Sequence, residues 1–159
     1  MPSSAALDRY DLRILALLQE DGRLTNQELA DRIGLSPSPC LRRVRSLEER
    51  GFIAGYRAMV DARKLGLTLM ALVHISMDRH TPERFANFEA KVRALPEVLE
   101  CLLITGQEAD YQLKAVVRDM EAYQDLLLNR ITRIEGVSGV HSSFVLRRVV
   151  ERTTLPPVS

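Results

Sequence analysis

Apolar residues recur at helical spacing three times in the first third of the chain. Leu7, Tyr10, Ile14, Leu17 and Leu18 share one helical face, Asp8, Arg9, Arg13 and Gln19 lie largely on the other, and Asp21-Gly22 ends the run. Thr25 opens a second helix with Glu28 three residues on, the spacing at which two side chains cap each other's backbone N–H groups. Leu29, Ala30 and Ile33 form its buried stripe, Gly34 stops it, and Leu35 plugs the turn. Ser36 caps a third helix, with Pro37 at the first position, where a missing N–H costs nothing. Gly51 ends that helix, and Phe52 to Val60 reads as a short strand or hairpin, the wing of a winged helix.

Residues 61–69 show no regular pattern and form a linker. The period then changes. Met70 to Met77 alternates as a strand, and Thr81-Pro82 opens a helix with the stripe Phe85, Phe88, Val92 and Leu95. Val98 to Thr105 is almost wholly apolar, as in a strand covered on both faces, and Tyr111 to Val117 alternates again. Asp119 caps a helix with Met120, Tyr123, Leu127, Ile131 and Ile134 inward, and a last strand runs from about Val140 to Val150. The class is α+β: a helical domain over 1–60 and a ferredoxin-like βαββαβ domain over 70–159. Its helices cover one sheet face, so Leu102 and Ile104 on the other need a partner, most simply a second copy.

Chemistry enters with the third helix. At about 100° per residue, Cys40, Val44 and Leu47 turn to the core, while Ser38, Arg42 and Arg45 face away, with Ser46 beside them and Arg43 on a flank. Hydroxyls and guanidiniums on one exposed face suit the major groove of double-stranded DNA, where Arg bonds guanine bidentately; a merely solvated charged face is the plain alternative. Glu49 stands four residues after Arg45 and is placed to orient it. Arg57 reads as a surface residue.

Composition narrows the class. The 159 residues are 46% hydrophobic and 27% charged with a net charge of +1, so any nucleic-acid surface has to be local. No apolar run matches a bilayer span and no signal-peptide pattern opens the chain, which points to a cytoplasmic protein. Cys40 and Cys101 read as reduced core residues, and His74, His80 and His141 lack metal-ligand spacing. Neither a phosphate-binding Gly-rich loop nor a nucleophile elbow is present, so no enzyme and no metal or cofactor is expected. The loop from Thr105 to Asp110 joins two strands; its Gly106 turn can offer N–H groups to a carboxylate, and Glu108 or Asp110 can accept from an ammonium. A plain hairpin turn would use the same residues.

The segments LDRYDLRILALLQEDGRLTNQELADRIGLSPSPCLRRVRSLEERGFIAGY and TGQEADYQL resemble the Lrp/AsnC transcriptional regulators, from Leu7 to about Pro156. The resemblance implies a winged helix-turn-helix followed by a domain that dimerises and binds small amino acids, with assembly into octamers of four dimers. Ser36, Ser38, Arg42, Arg43 and Arg45 are the candidate DNA contacts. Thr105, Gly106, Glu108, Asp110 and Tyr111 are the candidates for the amino-acid effector, and Ser142 and Ser143, at the start of the last strand, either add hydroxyls to that pocket or are plain strand-edge residues. The family loop runs Gly-x-x-Asp-Tyr; here three residues separate Gly106 from Asp110, which leaves open whether Glu108 or Asp110 faces the pocket. Two other readings stand beside this one: an architectural DNA-compacting protein with little ligand response, and a small ferredoxin-like enzyme.

Overall fold

Two aspartates set where the first helix begins. In the computed structural model, which describes residues 6–106 and 109–156, Asp8 accepts from the N–H groups of Tyr10 and Asp11, and Asp11 accepts in return from the Asp8 N–H. Helix α1 (Arg9–Glu20) follows, then α2 (Asn26–Ile33), capped by Thr25 and Glu28 as the spacing predicts, and α3 (Pro37–Glu49). Ile14, Leu29, Ala30, Ile33, Cys40 and Leu47 are buried together, with Leu7, Leu17, Leu18 and Val44 packed around them. At roughly 1.5–3 kcal/mol for each large apolar side chain, this burial holds three helices too short to persist alone.

The expected wing strand is not formed. Residues 52–60 are non-helical and unpaired in any sheet; Ile53 tucks into the helical core, while Phe52, Tyr56, Met59 and Val60 are exposed. A strand needs a neighbour for its N–H and C=O groups, and no described strand lies beside this segment.

The chain divides into two compact units, one from Val60 to Val149 and the other from the remaining residues. In the first-domain unit the late segment from Val150 takes part too, with Leu155 donating its N–H to Gln19 Oε1 at 2.8 Å. The other unit is a four-stranded sheet of β1 (Leu69–Met77), β2 (Val98–Leu103), β3 (Tyr111–Val117) and β4 (Val137–Phe144) in the order β2-β3-β1-β4, every pair antiparallel. Ala71, Val73, Ile75 and Met77 of β1 and Tyr111, Leu113, Ala115 and Val117 of β3 share a core with Phe88 and Val92 of α4 (Pro82–Arg93). Helix α5 (Met120–Asp125), continued by a π-helical turn over Leu126–Ile131, completes that layer.

Several expectations are corrected here. Strand β2 is an edge strand with Leu99, Leu102 and Leu103 exposed, because within one chain only β3 flanks it. Cys101, on that strand, is exposed, whereas Cys40 is buried. Strand β4 spans Val137–Phe144 rather than 140–150, so Ser142 and Ser143 stand near its end. Leu126 rather than Leu127 is buried, since the π turn puts the next inward residue, Ile131, five positions on; Met120, at the start of α5, is exposed.

Candidate nucleic-acid interface and effector loop

The turn between α2 and α3 is built from local chemistry. Gly34 takes the left-handed conformation (φ +74°), and its N–H and that of Leu35 both bond the Ala30 carbonyl. Asn26 donates from Nδ2 to the Pro37 carbonyl at 2.8 Å, tying the start of α2 to the start of α3. With Cys40 and Leu47 fully buried, the opposite side of α3 is committed to solvent.

That side carries Ser38, Arg42 and Arg45, all exposed, and Ser36 is exposed at the cap just before the helix. The Ser36 hydroxyl makes no capping bond, although the residue occupies the cap position. Among the described residues Arg42 and Arg45 have no ion-pair partner, so the expected Arg45–Glu49 pair is not made. Glu48 instead accepts from the Tyr56 hydroxyl at 2.9 Å, and burial followed by that bond pushes the Tyr56 phenol up.

Arg43 differs from its neighbours. Its Nη1 lies 2.8 Å from Asp11 Oδ1 and 2.8 Å from Asp8 Oδ2, and its guanidinium stands 5.3 Å from the Tyr10 ring centre. The Asp11 bond, then the Asp8 bond, raises the guanidinium further above its ordinary range against the opposing effect of burial. The Asp11 backbone N–H, helped by Arg43, holds the Asp8 carboxyl below the usual carboxylate value. The sequence pattern missed these two aspartates as partners. Their spacing marks a helix start, but the arginine that completes the cluster is 32 residues from Asp11.

In the second unit Thr105 and Gly106 are exposed, and Glu108 lies outside the described residues. Asp110 is already engaged: Oδ2 accepts the Met77 N–H at 2.7 Å, and Oδ1 lies 2.8 Å from His80 Nε2. Tyr111 is buried against Phe85 and Phe88, and its hydroxyl donates to Glu89 Oε1 at 2.8 Å. Burial first, and Glu89 second, push its phenol far up. Ser142 and Ser143 are not brought to one surface. Ser142 is registered with core-facing Val73, and its hydroxyl meets that of Tyr123; Ser143 is registered with Leu72, on the opposite face.

Comparison with known proteins bears on both units. The family described as "Lrp/AsnC ligand binding domain" matches residues 70–155, and that described as "Winged helix-turn-helix DNA-binding" matches residues 7–54. The Bkd operon transcriptional regulator of Pseudomonas aeruginosa is 44% identical over 152 residues, 96% of this chain and 99% of the relative. The leucine-responsive regulatory protein of Escherichia coli is 44% identical over 149 residues, 94% and 90% of the two chains. The crystal structure of a Neisseria meningitidis transcriptional regulator in complex with L-Met superposes with a TM-score of 0.91 at 42% identity, covering 95% of this chain and 97% of that one. The structure of AsnC from E. coli gives 0.86 at 28% identity, covering 95% and 99%. A capped helix-turn-helix followed by a βαββαβ sheet domain thus carries both matches, and the chain belongs to the Lrp/AsnC family of transcriptional regulators.

Proposed function

We propose that this protein binds specific sites on double-stranded DNA as a transcriptional regulator and that a free amino acid modulates it. The observation that carries this reading is the outward face of α3, where Arg42 and Arg45 stand exposed beside Ser38 with no ion-pair partner among the described residues, and Ser36 is exposed at the cap before it. Arginines left free of carboxylates keep all five N–H donors for base edges and phosphates.

The loop from Thr105 to Tyr111 is our candidate effector site. Asp110 is engaged by Met77 and His80, which makes Glu108 our candidate acceptor for an ammonium, with Gly106 and Thr105 as candidates for the carboxylate. L-Met, bound by the Neisseria relative, is the first amino acid to try, followed by leucine. Ser142 and Ser143, being on opposite faces, are weaker candidates than the loop.

Assembly follows from the sheet. Its face opposite the helices carries Leu72 and Leu102, and we infer that a second copy covers it, with four such dimers forming an octamer. We divide the chain functionally into a DNA-binding domain (1–60), a linker (61–69) and an effector domain (70–159), and place the protein in the cytoplasm. Among the described residues no helix is long and apolar enough to cross a membrane.

The test uses a duplex selected by the protein from a random pool. Arg42→Ala combined with Arg45→Ala should lower affinity for it by about 2–6 kcal/mol, two contacts' worth, with oligomer size unchanged in sedimentation. Undiminished affinity at moderate salt would sink the assignment.

A further inference from the structure

We propose that Arg43 is a positioning residue: clamped between Asp8 and Asp11 at the start of α1, it sets the roll of α3 and so the direction in which Arg42 and Arg45 point. The inference rests on α3 being the DNA-reading element and departs from the expectation that Arg43 itself contacts DNA.

Three observations carry it. First, the clamp closes on a fixed frame. Asp8 Oδ1 is held by the N–H groups of Tyr10 at 2.8 Å and Asp11 at 3.0 Å, and Asp11 Oδ2 by the Asp8 N–H at 3.2 Å. Each carboxylate therefore gives its second oxygen to Arg43 with little freedom left to lose, unlike an ordinary surface ion pair. Second, the Asp11 half of the clamp is sheltered: that side chain is 10% exposed, against 46% for Asp8, and the Tyr10 ring lies against the guanidinium. Third, it holds a flank that the apolar anchors leave open. Cys40 and Leu47 fix α3 on one side, and Arg43 lies about 40° from Leu47 and about 100° from Arg42 around the helix. A roll of ~20° moves a group ~6 Å from the axis by about 2 Å, more than a hydrogen bond to a base edge tolerates. With two carboxylates on it, this guanidinium offers phosphate no surplus positive charge.

Asp8→Asn and Asp11→Asn in the full-length protein separate position from charge. At the cap position of Asp8 asparagine serves as well as aspartate, and at Asp11 its Oδ1 can still accept the Asp8 N–H, so α1 is kept, which matching circular dichroism and melting well above the assay temperature would verify. Each variant makes the protein one charge more positive, so bulk electrostatics predicts tighter DNA binding. The clamp predicts instead about tenfold weaker binding to the selected duplex, with random-sequence binding equal or tighter. Arg43→Gln should weaken selected-duplex binding with no change in the salt slope, whereas loss of a phosphate contact would flatten that slope by about 0.9. Binding by the asparagine variants as tight as wild type, or a flattened slope for Arg43→Gln, overturns the clamp. If Arg42→Ala with Arg45→Ala fails to bind in the same assay, only the clamp has fallen; if that variant binds normally, the reading of α3 falls and the clamp with it.

Discussion

The Asp110 carboxylate accepts the backbone N–H of Met77 at 2.7 Å, beside the point where the pairing of β1 with β4 shifts register. An amide that the sheet leaves over is thus satisfied by a side chain 33 residues away. Asp110→Ala would leave it without a partner, at a cost of about 1–3 kcal/mol, while Asp110→Asn keeps an acceptor oxygen and should cost less. Thermal unfolding of the two variants should rank them in that order. Equal stability for alanine and wild type would mean that the carboxylate is free for a ligand.

Gly136 and Gly34 make a matched pair for backbone strain. Both have positive φ, but a Cβ on Gly34 would meet open space, whereas on Gly136 it would lie 3.0 Å from Met77 Cε and 3.2 Å from Arg84 Cδ. Gly34→Ala should cost about 1–2 kcal/mol from backbone conformation alone, and Gly136→Ala more, since the Met77 and Arg84 side chains must also give by a few tenths of an ångström. Denaturant midpoints that put Gly34→Ala below Gly136→Ala would contradict the packing described at the start of β4.

Tyr111 predicts an alkaline dependence. Its phenol is raised above the ordinary value near 10 by burial and then by the bond to Glu89, so the folded state holds the proton more tightly than the unfolded chain. The associated stability is fully present below about pH 10 and is lost as pH rises through the raised value. The stability difference between wild type and Tyr111→Phe should therefore shrink from pH 8 to pH 11 in urea titrations. A constant difference would show that the phenol gains nothing from its site.

What could be read from the sequence was what residues a few positions apart decide. Thr25 with Glu28 and Asp119 before α5 mark helix starts through local hydrogen bonds, Pro37 after Ser36 marks one through its fixed φ, and each start is found where expected. The strand alternation of β1 and β3 was legible because one face of each meets the helical layer. What failed depends on distant partners. The role of Arg43 needs Asp8 and Asp11 from another helix, and the exposure of β2 follows from its edge position. The opposite facing of Ser142 and Ser143 follows from the strand pleat alone, and the partner each one meets follows from the register with β1.

The open sheet face gives a test of assembly. Leu72 and Leu102 lie on it, with Leu102 43% exposed in the single chain. Leu72→Glu with Leu102→Glu should yield monomers by sedimentation velocity while leaving the fold of each chain intact, since neither residue is in the core that faces the helices. Wild-type assembly by this variant would move the interface elsewhere.

The central claim is that DNA and an amino acid bind to one protein and influence each other. Footprinting on the selected duplex with and without each candidate amino acid, starting with L-Met, addresses it most directly. The account predicts a few ordered protected sites whose occupancy or extent changes with one amino acid, and an equal factor by which the DNA alters that amino acid's affinity. Broad, sequence-tolerant protection that no amino acid alters would contradict it.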